Sequence, residues 1–322
     1  MAVYTKIGKK EIISLTQKFN LNKVINFQGI KNGIENTNYL LKTKNKKYIL
    51  TIFEKRVHKK DLPFFMKLMD NLNKNNINCP KPLKSLNGKY LTLIKNKSAC
   101  IVTFLEGKDK QSLNSKNCYD IGKNIGRLHK ASNKIKLFRK NSMSINNLNK
   151  LLKSIKFKSK NITPNLKSTL KINLDEIKKN WPKDLPMGII HGDLFIDNIF
   201  FKKNKFAGFI DFYFSCNDYS MYEIAICINA LCFDKKKNKF FLNNEKVKNL
   251  IKGYQKVRKI SQREKNALNL LCRAAALRYL LTRIYDYFNT PKTAFIKIKD
   301  PNEYFQKLII HNNLDCYEDY YI

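Results

Sequence analysis

The stretch from His191 to Asp211 carries residue types at spacings that could perform phosphoryl transfer. Asp193 precedes Asn198 by five residues, and Asp211 closes the stretch. A loop aspartate can accept the proton of an attacking hydroxyl group. An amide oxygen and a carboxylate suit Mg²⁺, which binds one or two protein carboxylates together with phosphate oxygens. Either aspartate alone is more often an ordinary turn or strand-end residue, so the prediction rests on the combination.

The elements that must position these residues form a predicted hairpin. Residues 198–202 and 206–210 are apolar enough for two strands, and a Lys-Asn turn separates them. Because a hairpin returns the chain on itself, Asn198 at its start and Asp211 at its finish can face one point. His191 could act as a second base, but we expect it to support the loop by hydrogen bonding.

This constellation resembles the catalytic and metal-binding loops of the aminoglycoside phosphotransferase and choline kinase superfamily, relatives of the protein kinases. Segments along almost the whole chain together resemble the homoserine kinases built on that fold: 1–5, 30–41, 48–56, 61–72, 101–107, 191–201, 210–218 and 278–291. The resemblance implies Asp193 as the catalytic base and Asn198 and Asp211 as ligands of Mg²⁺. It also implies ATP as co-substrate and L-homoserine as acceptor, with O-phospho-L-homoserine for threonine synthesis as product.

The same resemblance implies an α+β, two-lobed protein-kinase-like fold. Residues 1–105 would form a small antiparallel-sheet lobe that binds nucleotide, and residues 108–322 a larger, mainly helical lobe that carries catalysis and the acceptor site. The pattern predicts helices over 11–19, 61–72, 224–232 and 268–288, and small-lobe strands over 24–27, 38–43, 47–53, 89–93 and 99–104. Asp61 is the expected N-cap of its helix, with Pro63 in the first turn. Between 133 and 180 the chain is too weakly patterned for a prediction.

Nucleotide-binding candidates fall in two segments of the small lobe. The first is a strand-turn-strand segment with Gly29, Gly33, Asn36 and Asn38. Glycines let backbone amides approach phosphate, although two glycines four apart are also ordinary hairpin punctuation. By resemblance this segment replaces the kinase glycine-rich loop. The second is a hinge at 103–107, whose backbone around Phe104, Leu105 and Glu106 would bind adenine.

One position departs from the kinase pattern. Thr51 stands where kinases carry the lysine that binds the α and β phosphates of ATP. Lys55 and Arg56 are the remaining candidates for that role.

The acceptor site is the least specific part of the sequence. Only eight arginines occur, and Arg273, Arg278 and Arg283 fall in one otherwise apolar helix. Because a guanidinium binds both oxygens of a carboxylate, we expect Arg278 or Arg283 to hold the homoserine carboxylate. The alternative for Arg283 is an ion pair with Asp286 on the same helix.

Three residues that follow Asp211 are further candidates for shaping the acceptor pocket: Tyr213, Asp218 and Glu223. Choline, an aminoglycoside or a methylthio sugar are the alternative acceptors. The same loops would serve all of them, so catalytic residues do not separate them.

Composition bounds the partners. The chain has 322 residues, 43% apolar, and a formal charge of +38. Such charge suits a polyanion-binding protein on a kinase fold, but lysine runs at 44–47, 202–205 and 235–239 fall at expected turns, so we favour a solvated surface and expect no nucleic-acid or membrane partner. Eight scattered cysteines suggest reduced, packed thiols, and the apolar stretch 221–233 is too short to span a bilayer. We therefore expect a soluble cytoplasmic protein.

Of the histidines, we expect His129 to be packed and His58 and His311 to be exposed.

Overall fold

The computed structural model describes residues 3–30, 36–54, 57–155, 157, 166–289 and 298–321. The elements in chain order are α1 (Lys9–Lys18), β1 (Val24–Gly29), β2 (Thr37–Thr43), β3 (Lys47–Ile52), α2 (Leu62–Lys74), β4 (Leu91–Ile94), β5 (Lys97–Thr103), α3 (Ser115–Ser132), α4 (Ile145–Ser154), α5 (Leu166–Lys179), β6 (Met187–Ile190), β7 (Ile199–Lys202), β8 (Lys205–Phe209), β9 (Cys216–Tyr219), α6 (Ser220–Leu231), β10 (Phe233–Lys236), β11 (Lys239–Leu242), α7 (Asn244–Gln255), α8 (Gln262–Asn289) and α9 (Asn302–Asn312). The mixture confirms the predicted α+β class.

The chain divides into two compact units. Unit 1 comprises residues 1–108 and 200–213, and unit 2 comprises 109–199 and 214–322. In this division the hairpin of β7 and β8, which we had assigned to the catalytic lobe, groups with unit 1. The lobe boundary near residues 105–108 stays a prediction.

Unit 1 is built on a five-stranded antiparallel sheet in the order β1-β2-β3-β5-β4. Along β2, fully buried residues alternate with half-buried ones, which places Tyr39 and Leu41 in the core. Ile12 and Leu15 of α1 pack into the same core. Helix α2 begins after Asp61 at the N-cap and has Pro63 in its first turn, as predicted.

Unit 2 is mainly helical. The short pair β6 and β9 is antiparallel, and α3 and α6 pack against it. Helices α6 and α8 both carry many buried apolar residues. The stripe of Ile121, Ile125 and Leu128 on α3 is fully buried, as its helical spacing indicated. Helices α4 and α5 occupy the region 133–180, for which the sequence had supported no prediction.

The histidines test the packing expectations. His129 is buried, and His58 is exposed, both as predicted. The prediction for His311 was wrong: it is fully buried and lies 2.9 Å from the Tyr320 hydroxyl and 3.2 Å from Asn229 Oδ1. Burial lowers its pKa to about 3, so the imidazole is neutral at physiological pH.

Seven of the eight cysteines are buried, and Cys316 is exposed. Among the described helices, none combines the length and the apolar character that crossing a membrane requires.

Candidate active site

The predicted catalytic loop, called the catalytic loop below, begins where β6 ends and runs from His191 to Asn198. Gly192 has φ +78°, and a Cβ there would lie 3.0 Å from the Phe214 carbonyl oxygen. A side chain at this position would meet both an unfavourable backbone conformation and fixed backbone. These two local restrictions explain why the residue between His191 and Asp193 is a glycine.

Glu223 of α6 stabilises the start of this loop by hydrogen bonding. Its buried carboxylate accepts hydrogen bonds from the backbone N–H groups of His191 and Gly192, the latter at 3.0 Å. Burial opposes ionisation, but contact with His129, the nearby His191 imidazole and the backbone bond outweigh it, so the pKa of Glu223 lies below its ordinary value. We had expected Glu223 to shape the acceptor pocket. Its carboxylate instead binds the backbone of the catalytic loop.

His191 is itself buried within the loop. The Asp193 N–H donates to His191 Nδ1 at 3.3 Å, and the Ser215 hydroxyl donates to the His191 carbonyl oxygen at 3.3 Å. These contacts are those of a residue that fixes loop conformation, which favours the expected supporting role over that of a second base.

Asp193 is half-buried, and two other residues hold it. The Asn198 side-chain amide donates to the Asp193 carbonyl oxygen at 2.8 Å and approaches Asp193 Oδ2 at 3.4 Å. The Tyr279 hydroxyl lies 3.3 Å from the Gly192 carbonyl oxygen and 3.4 Å from Asp193 Oδ1, so its single proton is shared between these two acceptors. Tyr279 lies on α8, far along the chain, and no local sequence signal connected it with the loop.

The predicted metal ligands flank the hairpin. Asn198 ends a 3-10 turn (Ile196–Asn198) and precedes β7, whereas we had placed it at the start of the strand. Lys203 and Asn204 both have positive φ, at 47° and 64°, which makes the predicted Lys-Asn turn a type I′ turn. Asp211 follows β8 and is exposed, with φ +63°. Aspartate tolerates this left-handed conformation better than most residues, and such backbone is concentrated at functional positions.

The donor chemistry of these two residues fits Mg²⁺. The NH₂ group of Asn198 is directed at Asp193, and in the described part of the chain nothing hydrogen-bonds to its Oδ1. That leaves an amide oxygen, which together with the Asp211 carboxylate is a donor set that a hard cation prefers.

Polar residues of adjacent strands contact each other on the predicted nucleotide side of unit 1. The Thr51 hydroxyl donates to Asn38 Oδ1 at 2.8 Å, and the two residues are paired in register between β2 and β3. The Tyr213 hydroxyl lies 4.0 Å from the Cys100 sulfur. Burial is the main reason that the pKa of Tyr213 is raised. The position where kinases carry lysine is therefore a buried hydroxyl here.

The other nucleotide candidates are placed as follows. Asn36 Oδ1 accepts from the Glu54 N–H at 3.4 Å, and Gly29 ends β1, where an added Cβ would meet Val3 at 2.7 Å. Gly33, Lys55 and Arg56 lie outside the described residues.

The predicted hinge follows β5. The Phe104 N–H donates to the Lys47 carbonyl oxygen at 3.2 Å and is therefore used by the sheet. Among the described backbone hydrogen bonds, none uses the N–H of Leu105 or Glu106, and these two residues line a cavity of about 550 Å³. Gly107 has φ +139°, and a Cβ there would lie 2.9 Å from the Phe201 carbonyl oxygen. The hinge segment thus passes close to β7.

The three arginines of α8 have different surroundings. Arg273 makes a bidentate ion pair with Glu176, at 2.8 and 2.6 Å. Arg283 binds Glu303 at 2.7 Å and the Asp300 carbonyl oxygen at 2.8 Å, so its partner is not the Asp286 that helical spacing suggested. Both guanidinium groups therefore have structural partners already.

Arg278 differs from both. Its side chain is 3% exposed, and its Nε has no hydrogen-bond partner among the described residues. The guanidinium lies 4.8 Å from the Tyr279 ring centroid and 6.0 Å from that of Phe214. Burial lowers its pKa, but Tyr279, Tyr222 and Asp193 outweigh burial and the net pKa is raised. Arg278 is thus a permanently charged group close to the catalytic loop.

Similarity to solved structures supports the kinase-like fold. A structure of amicoumacin kinase in complex with AMP-PNP and Ca²⁺ matches with a TM-score of 0.72 at 15% identity, covering 97% of this chain and 94% of that one. Choline kinase from Streptococcus pneumoniae matches with a TM-score of 0.65 at 15% identity, covering 95% and 99%. The predicted fold is confirmed.

Sequence similarity is closer and extends over nearly the whole chain. Residues 26–256 match the phosphotransferase enzyme family. The homoserine kinase of Bradyrhizobium diazoefficiens is 39% identical over 321 residues, which are 99% of this chain and 97% of that protein. The homoserine kinase of Paramagnetospirillum magneticum is 40% identical over 320 residues, 98% and 97% of the two chains. The chain therefore belongs to the phosphotransferase enzyme family and, within it, to the group of homoserine kinases.

Proposed function

We propose that this protein transfers the γ-phosphoryl group of ATP to the side-chain hydroxyl of L-homoserine, giving O-phospho-L-homoserine for threonine synthesis. The observation that carries the proposal is full-length similarity to homoserine kinases at 38–40% identity, in a chain whose Asp193, Asn198 and Asp211 are all present. The reaction would take place in the cytoplasm. The same similarity favours homoserine over choline, an aminoglycoside or a methylthio sugar as acceptor.

Asp193 is the proposed catalytic base. It accepts the proton of the homoserine hydroxyl as the new oxygen–phosphorus bond forms and the bond to the leaving oxygen of ADP breaks. Asn198 and Tyr279 restrict where its carboxylate can point, since both contact it or its own backbone. Restricting the geometry of the reacting groups supplies a large part of the acceleration in phosphoryl transfer.

Asn198 and Asp211 are the proposed ligands of Mg²⁺. A divalent cation bound there would neutralise the phosphate charges that increase in the transition state. The amide oxygen of Asn198 is available for this role because its NH₂ group is directed at Asp193. The similar amicoumacin kinase was solved with AMP-PNP and Ca²⁺, which agrees with a requirement for a divalent cation.

For the nucleotide, we propose that the free backbone N–H groups of Leu105 and Glu106 bind adenine. The N–H group of Phe104 is not available to adenine, because it donates to the Lys47 carbonyl oxygen. Phe104 serves instead to position the segment that follows it. Gly29, Gly33, Asn36 and Asn38 remain the proposed phosphate-side residues.

For the acceptor, Arg278 is a better candidate than Arg283. Arg283 is committed to Glu303 and Asp300, whereas Arg278 has an unpartnered Nε and a charge that acts on Asp193. Tyr213 packs against Phe53 and Phe65, with ring centroids at 5.1 and 5.7 Å, so any contact with the acceptor would come from its hydroxyl edge.

Replacement of the two aspartates tests this proposal. With ATP and homoserine, Asp211→Ala should abolish turnover because a metal ligand is lost, and raising Mg²⁺ should restore little of it. Asp193→Ala should lower kcat by about 10² to 10⁴ while ATP binding survives. Steady-state kinetics and nucleotide titration measure both. Near-normal turnover in either variant would exclude the mechanism.

A further inference from the structure

We propose that Asp218 binds the α-ammonium group of the acceptor, beside Arg278 as the group that binds its α-carboxylate. This inference rests on the proposed function and specifies how that function selects its substrate. It assigns opposite charges of a zwitterionic head group to two buried side chains of unit 2.

The position of Asp218 on β9 relates it to the catalytic loop. Cys216 pairs with Ile190, the last residue of β6, after which the loop begins. Asp218 lies two residues farther along β9, so its side chain projects from the same face of the strand as that of Cys216. The charge of Arg278 acts on both Cys216 and Asp218 as well as on Asp193. The Arg278 guanidinium also lies 6.0 Å from the ring of Phe214, which precedes β9, and 4.8 Å from the ring of Tyr279, whose hydroxyl contacts Asp193. Asp218, Arg278 and Asp193 therefore belong to one cluster.

Asp218 is held in a fixed orientation. Asn141 Nδ2 donates to Asp218 Oδ2 at 2.6 Å, and the Tyr219 N–H donates to Asp218 Oδ1 at 2.8 Å. The side chain is 9% exposed, and burial is the main reason that its pKa is raised. In the described part of the chain, no lysine or arginine forms an ion pair with it. A buried carboxylate without a contacting cation is costly for a purely structural residue, and an ammonium ligand would offset that cost.

Arg278 is a buried cation that resembles the buried Asp218 carboxylate in lacking an ion-pair partner among the described residues. It is buried beside two aromatic rings, its Nε is unpartnered, and none of the described carboxylates makes an ion pair with it. Arg273 and Arg283, on the same helix, both have carboxylate partners. Asp218 and Arg278 thus lie in one cluster without forming an ion pair with each other or with another described residue. An amino acid head group, with one ammonium and one carboxylate, supplies a partner for each.

Two analogues of homoserine separate the two subsites. 4-Hydroxybutanoate has the hydroxyl and the carboxylate but no amino group, and 3-aminopropan-1-ol has the hydroxyl and the amine but no carboxylate. The measurement is kcat/KM for homoserine and for each analogue, in the wild type and in Asp218→Asn. This substitution keeps the shape and removes the charge.

The expected result is a selective loss. Asp218→Asn should raise the KM for homoserine about 10- to 100-fold, because a charge-assisted hydrogen bond is lost. Its preference for homoserine over 4-hydroxybutanoate should fall by a similar factor, while its preference over 3-aminopropan-1-ol and its KM for ATP stay near wild-type values. Destabilisation alone would not change one preference and leave the other intact.

A matched control is available in the same unit. Asp234 also accepts an asparagine amide at 2.6 Å, from Asn243, but it has a lysine partner, Lys246. Asp234→Asn should leave both preferences unchanged. If Asp218→Asn does not fold, Asn141→Ala decides: it leaves the charge but removes its orientation, and it should lower the preference over 4-hydroxybutanoate several-fold.

The possible failures are distinguishable. A wild-type enzyme that does not phosphorylate homoserine would overturn the proposed function and this subsite with it. A wild type active on homoserine, with an unchanged preference over 4-hydroxybutanoate in Asp218→Asn, or in Asn141→Ala where that variant must decide, would overturn the subsite alone.

Discussion

The predicted catalytic loop of unit 2 and the predicted nucleotide side of unit 1, here Asn38 of β2 with Thr51 of β3, are stabilised in different ways. Side chains from distant helices hold the loop: Glu223 lies 31 residues from Gly192 along the chain, and Tyr279 lies 86 residues from Asp193. The nucleotide side is held by neighbours in one sheet, and its Thr51 and Asn38 are only 13 residues apart. A side chain that reacts needs a fixed orientation, which requires contacts from several directions. Backbone groups that bind a ligand need only a well-formed sheet and turn.

The larger effect on enzyme kinetics is expected from a substitution that removes a contact to the catalytic loop. Tyr279→Phe removes a hydroxyl whose single proton is shared between Asp193 Oδ1, at 3.4 Å, and the Gly192 carbonyl oxygen, at 3.3 Å. Because both bonds are long, we expect a loss of about 1 kcal/mol, or roughly 5- to 10-fold in kcat, with little change in the KM for ATP.

Tyr304→Phe is the matched control for that experiment. Tyr304 is also buried, its ring lies 5.2 Å from that of Tyr279, and its hydroxyl has no partner among the described residues. We expect unchanged kinetics and equal or higher stability. If the two variants behaved alike, the Tyr279 hydroxyl would have no positioning role.

The smaller effect on enzyme kinetics is expected from a substitution in the sheet of unit 1. Thr51→Val keeps the shape of a buried side chain and removes its hydrogen bond to Asn38. We expect about 1 kcal/mol lower stability and a two- to threefold higher KM for ATP, with kcat retained. Thermal unfolding and steady-state kinetics measure both quantities.

Thr92 of β4 offers the control. Its hydroxyl is buried in the same sheet and lacks a partner in the described part of the chain. Thr92→Val should therefore be neutral or slightly stabilising. A large fall in kcat in Thr51→Val would show that the sheet positions reacting groups as strictly as the loop does, contrary to the comparison.

The contrast also explains which features could be predicted. The hairpin with its Lys-Asn turn and the alternating strands follow from spacing over ten or so residues, as does helix α2 with Asp61 at its N-cap position, and the structure contains all of them. The roles of Glu223 and Tyr279 depend on which helices approach the loop, and local spacing holds no such information. Glu223 therefore appeared to be a pocket residue.

Burial of polar residues was equally hard to predict. His311 lies in a polar stretch and was expected to be exposed, but α9 directs it towards Asn229 and Tyr320. For Arg283, an ion pair with Asp286 was the alternative to binding the acceptor carboxylate, and its ion-pair partner is instead Glu303 of another helix. Helices α4 and α5 do carry a periodic signal, since Leu166, Leu170 and Leu174 of α5 are buried at a spacing of four residues. The many lysines and asparagines between these residues obscured it.

The most direct test of the central claim is a comparison of acceptors with the wild-type enzyme. ATP and Mg²⁺ would be supplied with homoserine, choline, an aminoglycoside or a methylthio sugar, ADP release would be followed, and the product would be identified by phosphorus NMR. We predict that kcat/KM for homoserine exceeds that for each other acceptor by at least about 100-fold, because buried polar groups that lose their partners reject analogues strongly. A clear preference for choline, or DNA binding that weakens steeply with salt in a protein without phosphotransferase activity, would contradict the account.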